Sequence, residues 1–134
     1  MNLVVVGLGS NIDPKENIRT ALRWIRELGE IRSQTNVLRT EPIGAPGQEW
    51  FMNCAVLLET ELSPKELAVR LRDIEGSMGR PREGDRSGPR TIDLDVLVWN
   101  GRVVDENVYS RSFLGDAVRE LSPEVGGPLD QASA

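Results

Sequence analysis

Ser87-Gly88-Pro89-Arg90-Thr91-Ile92-Asp93-Leu94-Asp95-Val96-Leu97-Val98-Trp99 runs from a Gly/Pro/Arg loop into an apolar, β-branched strand holding two carboxylates. Side chains alternate faces along a strand, so Asp93 and Asp95 share one face. Ile92, Leu94, Val96 and Val98 then point the other way, towards a core. Two carboxylates ~7 Å apart on one strand repel and are costly to desolvate, so the pair calls for a cation. Magnesium, a hard ion taking carboxylate and phosphate oxygens, suits it. Immediately upstream, Arg80, Arg82, Arg86 and Arg90 crowd a short Gly/Pro segment whose composition predicts mobility. Carboxylates to hold metal and guanidiniums to hold the remaining phosphate charge are the halves of a phosphoryl-transfer site. Either feature alone reads as a solvated surface. Placed end to end, they favour chemistry.

Working outward, 134 residues suit one domain over residues 1–134, with 125–134 as a loose tail. The net charge of −5 does not steer the chain to nucleic acid, which makes the local arginine cluster more informative. Histidine is absent, which excludes Ser-His and Cys-His nucleophiles and His-based zinc sites. The single cysteine, Cys54, lies in an apolar run and reads as a buried thiol. One cysteine, and an N-terminal apolar run too short for a signal peptide or a membrane span, predict a cytoplasmic setting with no membrane.

Leu3 to Gly9 reads as a buried strand. Asp13-Pro14-Lys15-Glu16 reads as a helix start, with Asp13 as N-cap and Glu16 completing a capping box. Ile18, Leu22 and Ile25 carry the apolar stripe, and Gly29 closes it. Glu30 to Leu38 reads as a second strand, Arg39 to Gln48 as a loop, and Phe51 to Leu62 as a third strand. Ser63-Pro64-Lys65-Glu66 opens a second helix with stripe Leu67, Leu71, Ile74 and Met78. The Asp-x-Asp strand follows, and Asn100-Gly101 turns it into a short strand at Arg102-Val103-Val104. Arg111 to Leu121 fits a short helix. The order βαββαβ plus a hairpin predicts an α+β, ferredoxin-like sandwich with a mainly antiparallel sheet and helices packed on one face of it.

Gly88-Pro89-Arg90-Thr91-Ile92-Asp93-Leu94-Asp95-Val96-Leu97 resembles the signature of the 6-hydroxymethyl-7,8-dihydropterin pyrophosphokinase family of folate biosynthesis. The resemblance extends through Gly9-Ser10-Asn11, Arg39 to Gly44, Phe51 to Val56, Ile74-Glu75, Arg80 and Arg82, and covers most of residues 3–104. It implies a ferredoxin-like enzyme that moves pyrophosphate from ATP to a reduced pterin, giving AMP and the pterin diphosphate. On this resemblance Asp93 and Asp95 hold two magnesium ions with ATP, and Arg80, Arg82 and Arg90 act in catalysis. Thr40, Pro42, Ile43, Phe51, Asn53 and Phe113 bind the pterin, with Phe51 and Phe113 sandwiching its ring. Glu75, Arg82, Arg90, Val96 and Arg111 lie in the ATP region. The partners implied are these two small molecules, with no nucleic acid, and a monomer is expected.

The chain departs from the family pattern in four places, one being residues 115–134, which keep a Glu-Leu-Ser-Pro-Glu echo of the family's C-terminal stretch but end early. Val108-Tyr109-Ser110 runs directly into Arg111-Ser112-Phe113, without the Pro-His segment through which relatives contact ATP. Ser87 stands where the family has a loop tryptophan, and Glu41 where proline is common. Three readings follow: an active pyrophosphokinase with a trimmed nucleotide site, a non-catalytic pterin- or nucleotide-binding relative, and a ferredoxin-like interaction or RNA-binding module. The last is weakest, because no strand interleaves aromatics as RNA-binding sheets do.

Overall fold

The computed structural model describes residues 1–41, 47, 49–79 and 91–125. The apolar run near the N-terminus forms β1 (Asn2–Ser10), and α1 (Pro14–Ile25) follows it. Two short strands, β2 (Glu30–Gln34) and β3 (Leu38–Thr40), precede the long β4 (Phe51–Thr60). Then come α2 (Pro64–Ser77), β5 (Asp93–Trp99), β6 (Arg102–Val103), α3 (Asn107–Ser110) and α4 (Ser112–Leu121). A 3-10 turn spans Pro123–Val125.

The strands form one antiparallel sheet in the order β2-β4-β1-β5-β6, with β3 extending β2 along the same edge of β4. This is the ferredoxin-like order, with β1 and β4 at the centre. Alternation on β1 sends Val4, Val6 and Leu8 to one face, where they pack with Ile18, Leu22 and Ile25 of α1 and Leu67, Leu71 and Ile74 of α2. The opposite face holds a smaller cluster, in which Val5, Ala55, Leu97 and Val98 meet Val108 of α3 and Val118 and Leu121 of α4. Helices therefore cover the sheet on both sides rather than on the one face expected.

Ser63 opens α2 as its sequence predicts. Its hydroxyl accepts from the Glu66 N–H at 3.1 Å, and its own N–H donates to the Glu66 carboxylate at 3.1 Å. Asp13 does not do the same for α1. An N-cap side chain reaches its helix from extended backbone, whereas Asp13 is left-handed (φ 38°, ψ 55°) and makes no side-chain cap hydrogen bond. The strand expected over Glu30 to Leu38 is split, because Thr35 replaces a backbone acceptor with its hydroxyl: the Ala55 N–H donates to Thr35 Oγ1 at 3.0 Å. The Asn-Gly turn forms as read, with both Asn100 (φ 49°) and Gly101 (φ 79°) left-handed, as a two-residue hairpin requires.

Val98 corrects a further expectation. The β1–β5 register slips between Val5 and Val6, which pair with Val98 and Val96, so Leu97 is an extra residue. This bulge breaks the alternation. Ile92, Leu94 and Val96 pack towards α1 and α2, but Leu97 and Val98 both join the α4 side, and Trp99 returns to the first face. The tail boundary also moves: Val125 is buried against the α4 side, and residues 126–134 lie outside the described residues. Cys54 is buried in the main core, and burial pushes its thiol up to about 11, so it is inert.

Replacing Ser63 by alanine is expected to cost about 1 kcal/mol of stability, read as a lower urea midpoint with unchanged slope. The Ser63 backbone N–H, and next its hydroxyl, hold the Glu66 carboxyl below its ordinary 4.5. A lowered folded-state value means that this stabilisation is complete above pH 4.5 and fades as pH falls through the lowered value. The gap between wild type and Ser63→Ala should therefore narrow in acid. A gap that widens there would contradict the capping box.

Candidate active site

The face of β1 turned away from α1 and α2 reads Val5, Gly7, Gly9. Val5 lies under α4, and beyond it the two glycines let neighbouring side chains close over the backbone, Leu97 at Gly7 and Asn53 and Phe51 at Gly9. Register places Asn53 of β4 and Asp93 of β5 on either side of Gly9, and Ala55 and Asp95 on either side of Gly7. Asn53 and Asp93 are thus two strand spacings apart, ~10 Å, with glycine between them. Asp93 is half-buried and Asp95 exposed, on the same face as the sequence predicts. The result is a shallow trough, carboxylates on one bank and an amide on the other.

A side chain cannot be added to the floor without loss. A Cβ on Gly9 would lie 2.6 Å from Asn53 Oδ1 and 3.8 Å from the Phe51 ring. One on Gly7 would lie 3.2 Å from Leu97 Cδ1. Asn53 in turn donates through Nδ2 to Thr40 Oγ1 at 2.5 Å, which fixes its amide and ties β3 to β4. Phe51 is half-buried and belongs to neither hydrophobic cluster, so its ring is not core packing. Phe113 is likewise half-buried outside both clusters, in the first turn of α4, the helix on this side of the sheet. Arg111, also half-buried, occupies the N-cap position of α4.

Other residues named from the sequence serve differently. The Glu75 side chain is buried, and Oε2 accepts from the Leu94 N–H at 2.9 Å. It therefore grips the backbone between Asp93 and Asp95, where β5 has no partner other than β1 among the described residues. Val96 packs towards α1 and α2, so its side chain is on the other face. Arg80, Arg82, Arg86, Arg90, Pro42 and Ile43 lie outside the described residues, as does the expectation of mobility over 80–86. The chain flanking 80–90 does close on itself: a Cβ on Gly79 would lie 3.9 Å from Thr91 Oγ1, two residues before Asp93.

Two contributors carried little signal in the sequence. Asn11 is buried and donates through Nδ2 to the Glu49 carbonyl at 3.2 Å, anchoring the approach to Phe51. Leu38 pairs with Asn53 and is half exposed beside it, offering an apolar wall. In the sequence Gly9-Ser10-Asn11 figures as part of the family resemblance, with no role for Asn11, and Leu38 only as a strand residue.

These features define a ferredoxin-like enzyme with its polar site on the sheet face away from α1 and α2. Comparison with known proteins makes the class specific. Residues 5–123 match the model of the 7,8-dihydro-6-hydroxymethylpterin-pyrophosphokinase family, and the chain belongs to that family. The 2-amino-4-hydroxy-6-hydroxymethyldihydropteridine pyrophosphokinase of Methylorubrum extorquens is 37% identical, over 95% of this chain and 88% of its own length. The Bacillus subtilis protein of the same name is 32% identical, over 92% of this chain and 80% of its own. Among solved structures, wild-type Plasmodium falciparum HPPK-DHPS superposes with a TM-score of 0.56. That match covers 97% of this chain and 36% of the other at 12% identity, and it supports the fold. The match to enzymes along most of the chain disfavours a non-catalytic relative or an RNA-binding module.

Gly9→Ala should push the Asn53 amide off Thr40 and close the trough. The expected result is a loss on the order of a hundredfold in kcat/KM with the fold retained, checked by steady-state assay and circular dichroism. Glu75→Ala should leave the buried Leu94 N–H without its acceptor, at about 1–3 kcal/mol in urea denaturation, while Glu75→Gln keeps an acceptor and most of the stability. Equal losses in both variants would show that the charge, not the hydrogen bond, is what β5 needs.

Proposed function

We propose that the trough is where pyrophosphate passes from ATP to the hydroxymethyl group of 6-hydroxymethyl-7,8-dihydropterin, forming AMP and the pterin diphosphate for folate synthesis. The observation that carries this reading is the placement of Asp93 and Asp95 on one face, in register with two glycines and facing Asn53. Phe51 and Phe113 hold the flat ring between aromatic faces. Asn53, oriented by Thr40, satisfies its polar edge, and the family resemblance adds Pro42 and Ile43 to the pterin-binding residues.

The carboxylates fit a divalent ion. Asp93 and Asp95 share one face of β5, paired in register with Gly9 and Gly7 of β1. Two carboxylates with coordination left to phosphates and water is the donor set of a nucleotide-bound magnesium site. Two magnesium ions, when bound there with ATP, offset phosphate charge and acidify the attacking alcohol. The pterin hydroxyl oxygen forms a bond to the β-phosphorus, and the bond from that phosphorus to the α-β bridging oxygen breaks. AMP leaves with that electron pair, and the hydroxyl proton passes to solvent. Arg80, Arg82 and Arg90 offset the charge that develops, and Glu75, Val96 and Arg111 belong to the nucleotide side. For Glu75 that role is indirect, because its carboxylate holds the strand bearing both aspartates. As part of this proposal the protein acts as a cytoplasmic monomer made of one domain, a setting that its single cysteine suits.

Asp93→Ala and Asp95→Ala should each lower AMP formation on the order of a hundredfold to a thousandfold, in an assay with ATP, magnesium and the hydroxymethyl pterin. The urea midpoint should barely move, since neither side chain is buried. Undiminished turnover in both variants would remove the metal assignment.

A further inference from the structure

Across the sheet from the trough lies a second concavity. It is an open cleft of about 490 Å³ between the flank of α1 and the β2–β4 edge, lined by Lys15, Ile18, Arg19, Leu22, Arg26, Gln34, Val37 and Met52. Its floor is apolar. Ile18 and Leu22 are the edge of the core, Met52 is half-buried and Val37 is 45% exposed. Its rim is basic. Lys15, Arg19 and Arg26 stand along one flank of α1, about 6 and 10 Å apart by helical rise. Register extends the same surface: Arg39 pairs with Met52 on β4, and its guanidinium stacks over the Trp50 ring at 4.8 Å.

Three observations say what would cover this surface. The chain carries a net charge of −5, yet these four cations gather beside exposed apolar side chains. Of the nearby acids, Glu30 and Glu59 are engaged outside the cleft by Arg32 at 3.2 and 3.3 Å, and Glu16 pairs with Arg19 of the rim at 3.5 Å. One of the cations is also poorly placed for the helix itself. Lys15 lies in the first turn, against the helix dipole, and repels Arg19 four residues on. Arginine, tryptophan and methionine beside an apolar floor form the composition of a protein interface.

We propose that this cleft docks a partner protein through an acidic amphipathic segment, whose apolar side chains enter between α1 and Met52 and whose carboxylates meet Lys15, Arg19, Arg26 and Arg39. Charge complementarity identifies the partner's chemistry. The surface lies on the opposite face of the sheet from Asp93 and Asn53, so docking leaves the trough open.

The test is titration of the full chain with a short synthetic Leu/Glu helix-forming peptide and with its Leu/Lys counterpart, followed by calorimetry and amide chemical shifts. The Glu peptide should bind, shift residues of 15–26, 34–39 and 50–52, and weaken as salt is raised. The Lys peptide should not bind. The double variant Arg19→Glu/Arg26→Glu should weaken the Glu peptide about tenfold or more, with AMP formation unchanged. Val37→Asp, on the floor, should do the same and guards against a variant-specific effect. Equal binding of both peptides, or no effect of either variant, would overturn the proposal. So would shifts centred on the trough, equal binding of octanoate, which would make this a small-molecule site, or self-association abolished by the same substitutions, which would make it a dimer face.

Discussion

Everything in this fold depends on one change halfway along β1. On the face turned from α1 and α2, Val5 is followed by Gly7 and Gly9 in a strand whose other face, Val4, Val6 and Leu8, stays wholly apolar. The apolar face secures the strand's position through burial, at about 25 cal/mol per Å² of area removed from water. That security permits glycine on the reverse side, where it would otherwise weaken the strand. The valine end takes α4. The glycine end takes nothing of its own and is flanked by side chains of β4 and β5 instead. Packing and chemistry divide a single sheet face at one residue.

The bulge in β5 serves the same division. With strict alternation, Val98 would follow Ile92, Leu94 and Val96 into the main core, and Trp99 would lie under α4. Leu97 as the extra residue puts two apolar side chains, Leu97 and Val98, on the α4 side, directly below the paired aspartates. Leu97 then lies against Gly7 on the trough's own face, taking the space a side chain there would need and bounding the trough on its α4 side. The carboxylates keep their shared face because the slip comes after them.

Much of this was legible in the sequence, and particular residues show why the rest was not. The βαββαβ order, the Ser63 box, the Asn-Gly hairpin and the shared face of Asp93 and Asp95 all rest on local rules, and all appear as read. Asp13 satisfied the sequence rule for an N-cap but not its backbone requirement, since its own backbone is left-handed where the chain passes from β1 to α1. The break at Thr35 and the slip at Leu97 depend on partners 20 residues and more away, which no local pattern reports. Glu75 was assigned to the nucleotide region by resemblance; its hydrogen bond to Leu94 is a tertiary contact across 19 residues. The trough itself was legible only in halves, because the glycines that join them look like turn residues until β4 and β5 are laid alongside.

The buried polar residues explain why the trough can stay half open without loosening. Ser10, Asn11 and Glu75 are all nearly inaccessible, and all lie at the end of the sheet that carries the trough. Asn11 bonds the carbonyl of Glu49, and Glu75 the N–H of Leu94, so each ties down backbone at that end of the sheet. A buried polar group earns stability only when its partner is in place, and a missing partner costs more than the bond is worth. The segments bearing Phe51 and the two aspartates are therefore held by contacts that fail abruptly rather than gradually. A site floored with glycine has few side chains of its own to define its shape. Its geometry must be imposed from behind, and these buried hydrogen bonds are placed where they can do so.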